Sequence, residues 1–145
     1  MKNFIYLIVA VVLVSSCSND DTNFSENLDL FLGTWQLKSI TFQGDLILTT
    51  PSAVTIEFIK NSQEVTFNGS STCNNYGGDV TNLTETNISF SHFFNTEIAC
   101  SGDKGNFEIT YFNLFSKIDR YNFMNNILKL YFEDNSYVSF EREVI

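Results

Sequence analysis

Any chemistry in this chain would have to come from a small set of side chains. The stretch Gly69-Ser-Ser-Thr-Cys73-Asn74-Asn75-Tyr76-Gly77-Gly78 gathers hydroxyls, amides, a thiol and glycines, and a second thiol follows in Thr96-Glu-Ile-Ala-Cys100. Two thiols can bind a metal, act as nucleophiles or close a disulfide. Structural zinc sites take their ligands in pairs at short spacing, which Cys73, Cys100 and the lone His92 do not offer. No motif links His92 to a nucleophile, so it is expected at the rim of the core, bonded to backbone. Ser70, Ser71 and Thr72 read as loop hydrogen-bonders. Neither a phosphate-binding loop nor a dinucleotide fingerprint is present, and the acidic residues are scattered over turns. The sequence therefore predicts no catalytic residue, no metal, no cofactor and no enzymatic activity.

The third cysteine belongs to a different chemistry. Lys2 precedes an apolar run from Phe4 to Val14, far short of the ~20 residues that cross a bilayer as a helix. It has the length of a signal-peptide core. Val14-Ser15-Ser16-Cys17 then resembles the lipobox of bacterial lipoproteins, in which cleavage precedes a cysteine that is lipidated. Small side chains at Ser15 and Ser16 let a peptidase reach the backbone, and the Cys17 thiol takes the lipid. Residues 1–16 are accordingly expected to be a signal peptide and Cys17 a membrane anchor. Two or more acyl chains hold a protein stably where one does not. Residues 17–27, with Asp20, Asp21 and Glu26, form an acidic tether with little to bury. Ser18-Asn19-Asp20-Asp21 also resembles an acidic surface-export signal of Bacteroidota lipoproteins. The expected location is the outer membrane, facing the periplasm or the cell surface.

Charge and cysteine parity follow from that address. The chain carries 8 Lys+Arg against 17 Asp+Glu, a formal charge of −9. Such a surface repels nucleic acid and lacks a basic stripe to offset this. With Cys17 assigned to lipid, Cys73 and Cys100 remain as a pair in an oxidising compartment. A disulfide is predicted, worth roughly 3–4 kcal/mol through loop closure; two buried free thiols are the alternative. A monomer is expected, with an envelope protein as a candidate partner.

The elements that must position the cysteine stretch are mostly strands. Leu28 to Leu32 suggests a helical turn leading into the domain. Trp35 and Leu37 alternate, then the apolar positions shift to Ile40 and Phe42, which predicts a bulge near Ser39. Trp35 is expected to plug one end of the sheet. Gly44 to Ser52, with Pro51, reads as a connection. Val54, Ile56 and Phe58 pair with Val65 and Phe67 across an Asn61-Ser62 turn. Asn74, Asn75, Gly77 and Gly78 suggest an irregular loop using left-handed backbone. Ile88, Phe90 and His92 share a strand face, and Phe93-Phe94 marks its end or a kink. Asp103 is the expected N-cap of a helix buried through Phe107, Tyr111, Leu114, Phe115 and Ile118, with Lys117 near its C-terminal dipole. A meander closes the chain through Asn125-Asn126 and Asp134-Asn135 turns.

The order of these features resembles the META domain, the HslJ-like group of small bacterial envelope proteins. The resemblance rests on Cys73-Asn74-Asn75-x-x-Gly78, on Ala99-Cys100 followed by Glu108 and Phe112, on Gly33-x-Trp35, and on the ending through Phe140 and Arg142. It spans about residues 33–142, within a domain placed at 28–145. It implies a mostly β, α+β fold: an antiparallel, lipocalin-like, partly open barrel with one amphipathic helix at one end. The family carries no established biochemical activity, and its association with heat shock and antibiotic tolerance points to envelope maintenance. The expectation is a lipid-anchored, non-enzymatic binding or interaction module. The alternative is a small-ligand carrier using the barrel interior. On either reading the loop at Cys73, Asn74, Asn75, Tyr76, Gly77 and Gly78 is a structural staple shaping one end of the barrel.

Overall fold

The computed structural model describes residues 28–49 and 54–143. The expected signal peptide, Cys17, the acidic tether and Pro51 lie outside the described residues. A helical turn over 28–31 leads into nine strands and one helix: β1 (Gly33–Phe42), β2 (Asp45–Thr49), β3 (Thr55–Asn61), β4 (Glu64–Ser70), β5 (Asn75–Thr81), β6 (Ser89–Asn95), α1 (Gly102–Phe115), β7 (Arg120–Met124), β8 (Ile127–Glu133) and β9 (Ser136–Arg142). All pairings are antiparallel. The strand order is β6-β5-β4-β3-β1-β9-β8-β7, with β2 on β1. The sheet curls into a half-barrel, as the family resemblance implies.

Local chemistry sets the turns. Gln43-Gly44 and Asn125-Asn126 each hold positive φ at both positions, the geometry of a two-residue hairpin loop. Asn135 and Ser62 supply the left-handed residue at two further turns. The expected connection over Gly44 to Ser52 is corrected. Gln43-Gly44 turns the chain at once, so Asp45 pairs with Phe42 and β2 runs back along β1. The bulge near Ser39 is present as a register shift between Leu37 and Ser39. There β1 changes partner, pairing with β3 before the bulge and with β2 after it.

The core lies on the concave side. Trp35, Ile56, Phe58, Phe67, Tyr76, Leu128, Leu130 and Phe140 are essentially inaccessible. One end is plugged by the helical turn, where Phe31 packs on Phe58 at 4.0 Å between ring centroids and Trp35 Nε1 donates to Phe31 O at 2.9 Å. Arg142 clamps this end. Its guanidinium lies 4.5 Å from the Trp35 ring centroid and donates to the carbonyls of Leu32 and Leu30. The other end is covered by α1, whose Phe115 stacks on Phe67 at 5.4 Å and meets Phe90 at 5.2 Å. The predicted apolar stripe of α1 is buried throughout. Its N-cap position, however, is Ser101 rather than Asp103, and the Ser101 side chain makes no capping bond. Lys117 lies past the last turn and pairs with Glu133 at 3.2 Å.

The sheet nearly closes. Ile88 N–H donates to Asp119 O at 3.2 Å and Tyr121 N–H to Thr86 O at 2.8 Å, joining the segment before β6 to β7. Beyond this short seam no strand pairing joins β6 to β7 among the described residues.

Candidate functional site

The turn between β4 and β5 consists of Ser71, Thr72, Cys73 and Asn74, closed by Ser71 N–H donating to Asn74 O at 2.7 Å. Cys73 and Cys100 form a disulfide with Cα atoms 6.0 Å apart and a sequence separation of 27. The bond ties this turn to the segment entering α1. Thr72 Oγ1 reinforces the contact by donating to Lys104 O at 2.9 Å. Helix and cross-link approach so closely that a Cβ on Gly105 would lie 2.5 Å from Cys100 O.

Glu108 sits one helical turn further on and is buried. Its Oε2 accepts the Cys73 and Asn74 N–H groups at 3.0 and 2.8 Å, and its Oε1 accepts Asn74 Nδ2 at 2.5 Å. A side-chain carboxylate from a helix thus satisfies turn amides that have no strand partner. Burial raises the carboxyl pKa, but the bonds from the Asn74 side chain, the Asn74 N–H and the Cys73 N–H outweigh it. The net shift is downward. Glu108 is therefore an anion at neutral pH and an acceptor only. The buried hydroxyl of Ser71 lies near enough to the Glu108 carboxylate to favour its charged form, without reaching hydrogen-bond geometry.

Asn74 uses its whole amide. Oδ1 accepts Thr96 Oγ1 at 2.8 Å and Ile98 N–H at 2.7 Å, while Nδ2 also donates to Ile98 O at 3.2 Å. The side chain therefore welds the β4–β5 turn, the 96–98 segment and α1 together. Asn75 faces outward, receiving a bond from Ser70 Oγ at 2.9 Å. Tyr76 points inward, its hydroxyl 2.6 Å from that of Tyr111 and donating to Thr55 O at 2.9 Å. Burial pushes both phenols well above their usual value, so both are protonated.

The predicted loop residues thus come together around the disulfide, with one correction. Asn74, Asn75, Gly77 and Gly78 do not use left-handed backbone. Asn75 to Thr81 is the regular strand β5. The glycines are there for space: a Cβ on Gly78 would lie 2.7 Å from Ser91 O and 2.9 Å from the Phe67 ring. His92 is also corrected. It lies exposed outside the barrel, bonded through Nδ1 to Asp79 Oδ2 at 2.8 Å rather than to backbone. Sequence reasoning counted Glu108 with Phe112 in the family pattern but gave it no role. The available signal was its place in the series Gly105, Glu108, Phe112, Phe115, which puts an acid on the helix face turned to the sheet.

Cys73, Cys100 and Glu108 also place possible metal-ligand atoms within 4.8 Å of one another. The sulfurs are bonded to each other and the carboxylate takes three N–H donors, so this donor set does not suit a metal. The cluster holds backbone in place.

A curled antiparallel sheet, capped by one helix that a disulfide and a buried carboxylate fasten to the β4–β5 turn, defines a small class of half-barrel domains. The META domain family model matches residues 28–145, and the chain belongs to that family. Its fold is also similar to an NMR structure of a protein from Burkholderia xenovorans, at 23% identity and a TM-score of 0.66, covering 82% of this chain and 88% of that one. A crystal structure of a DUF4847 family protein from Bacteroides vulgatus is similar at 15% identity and a TM-score of 0.54, covering 77% and 92%. No curated protein matches the chain.

Proposed function

We propose that the protein is a lipid-anchored envelope protein whose META domain is a non-enzymatic binding module. The observation that carries this reading is how the motif loop is used. Asn74, Glu108, Cys73 and Cys100 bond to one another and to backbone, so the most distinctive residues build a rigid end of the barrel. Among the described residues no nucleophile, base and oxyanion donor converge. The interior is filled by aromatic and aliphatic side chains, which favours a binding surface over an internal carrier site. The lipobox-like Val14-Ser15-Ser16-Cys17 supplies the anchor, and no helix among the described residues is long and apolar enough to cross a membrane.

The test has two arms. Cys17→Ala should move the protein from the membrane to the soluble fraction, and continued sedimentation with membranes would sink the anchor. A deletion strain should be sensitised to envelope stress and rescued by the anchored protein. An apolar small molecule co-purifying at one per chain would instead favour the carrier.

A further inference from the structure

The outer face of the sheet holds a second arrangement that the motif loop does not explain. β6 carries one extra residue against β5: Phe94 pairs with Gly77 and Ser91 with Asp79, leaving His92 and Phe93 opposite Gly78 alone. His92 absorbs the bulge with φ of 48°, an uncommon value for a residue other than glycine. The bulge lets Phe90 and Phe93 both pack on the core while His92 and Phe94 both face outward. Bulges of this kind re-aim side chains and are found beside functional sites.

Phe94 is what the bulge presents. At 59% exposure it is the one exposed phenylalanine among the described residues. Its ring lies over the bare backbone of Gly77, where a Cβ would come within 2.8 Å of Phe94 Cζ and 2.9 Å of Asn68 Oδ1. Strand register fixes the surroundings. Across the sheet, Thr34, Glu57, Asn68, Gly77 and Phe94 form one outward row. Along β5, Gly77 is flanked by outward Asn75 and Asp79. A groove of about 390 Å³ runs over this face.

We propose that this face binds a neutral oligosaccharide, a ligand class that rests on the binding-module reading above. A pyranose ring offers an apolar C–H face and a rim of hydroxyls. The Phe94 ring is a flat apolar platform for the first. Asn68 and Asn75 amides offer donors and acceptors, and the Glu57 carboxylate offers acceptors, for the second. The charge argues for neutrality: the rows hold two carboxylates and no Lys or Arg, on a chain of net charge −9, so an anionic polymer is repelled. The His92–Asp79 pair lies further along the sheet, where it lines a neighbouring depression with Val80 and Ser91. The ring also shields Gly77 from water, a structural role for Phe94, and the test separates the two.

The full chain, purified in a detergent without a sugar headgroup, would be titrated calorimetrically with cellohexaose, maltohexaose and N-acetylchitohexaose. At least one should bind with a dissociation constant of about 1 mM or tighter. Phe94→Ala should weaken it about tenfold or more, and Phe94→Trp should retain it. Thermal unfolding of each variant monitors folding, and Asn68→Ala, which leaves the ring in place, should weaken binding severalfold if Phe94→Ala fails to fold. Three outcomes would overturn the proposal: none of the three sugars binds, whichever of Phe94→Ala and Asn68→Ala folds binds like the parent, or polygalacturonate binds where the neutral sugars do not. Each leaves the Cys17 anchor reading untouched, because that reading is decided by fractionation.

Discussion

Glu108 is the residue on which the motif loop turns. A carboxylate that accepts two backbone N–H groups and an amide is held by charge-assisted bonds, each contributing roughly 1.5–3 kcal/mol. Glu108→Gln keeps the shape but points an NH2 group at donors. A loss of about 2–4 kcal/mol in urea-measured stability at neutral pH is expected. The pH dependence carries the sign. The folded carboxyl lies below its unfolded value near 4.3. Its contribution is therefore complete above the unfolded pKa and disappears as pH falls through the lowered folded value. The gap between parent and Glu108→Gln should be widest near pH 7 and narrow below about pH 4. An equal gap at both ends would mean the charge is not what matters. This role was only half legible in the sequence. Cys73 and Cys100 could be paired by counting, because disulfide parity is a property of the chain. Glu108 could not, because which carboxylate caps a distant turn depends on how α1 docks, and that is set by packing.

At the scale of elements, α1 shows local preference yielding to packing. Gly105 lies inside the helix, where alanine would ordinarily gain about 1 kcal/mol. Here its absent side chain lets the helix meet the disulfide segment, with Cys100 O only 2.5 Å from where a Cβ would stand. That neighbour is backbone, fixed by the cross-link, so it cannot swing aside. Overpacking costs typically about 1–3 kcal/mol and outweighs the helix gain. Gly105→Ala should thus destabilise the protein in chemical denaturation. A neutral or stabilising result would show that the helix entrance can shift. The same lesson explains β2 and β5. Leu46-Ile47-Leu48 lay between turn-forming residues and a proline, so it resembled a connection. Its strand character comes from the edge of β1 that the bulge near Ser39 exposes. Asn and Gly in β5 resembled a loop because their backbone freedom is a sequence-level trait, whereas the close approach of Phe67, Phe94 and Ser91 O is a tertiary one. The hairpins at Asn125-Asn126 and Asp134-Asn135 were legible throughout, since two-residue turns are written into adjacent residues.

For the whole molecule, the half-barrel is held very unevenly around its circumference. β1 and β9 share a ladder of six register pairs from Trp35 to Thr41. The seam between β7 and the segment before β6 has the single Asn87–Arg120 bridge and the two flanking backbone bonds. Beside the seam α1 packs on β6 through Phe112 and Phe115, and α1 is fastened to the sheet by the disulfide, Glu108 and its aromatic face. Opening the seam therefore breaks only that short bridge, once the helix beside it loosens. Amide exchange should rank accordingly. Ile88 and Tyr121, although buried, should exchange about tenfold or more faster than Leu37 and Phe140 in the centre of the sheet. Reduction of Cys73–Cys100 removes roughly 3–4 kcal/mol of loop-closure stabilisation for a separation of 27. It should also accelerate Ile88 and Tyr121 more than a global loss of stability predicts, because it frees the element packed beside the seam. If reduction instead accelerates all four amides equally, sheet and helix unfold as one unit and the seam is no weaker than the rest of the barrel.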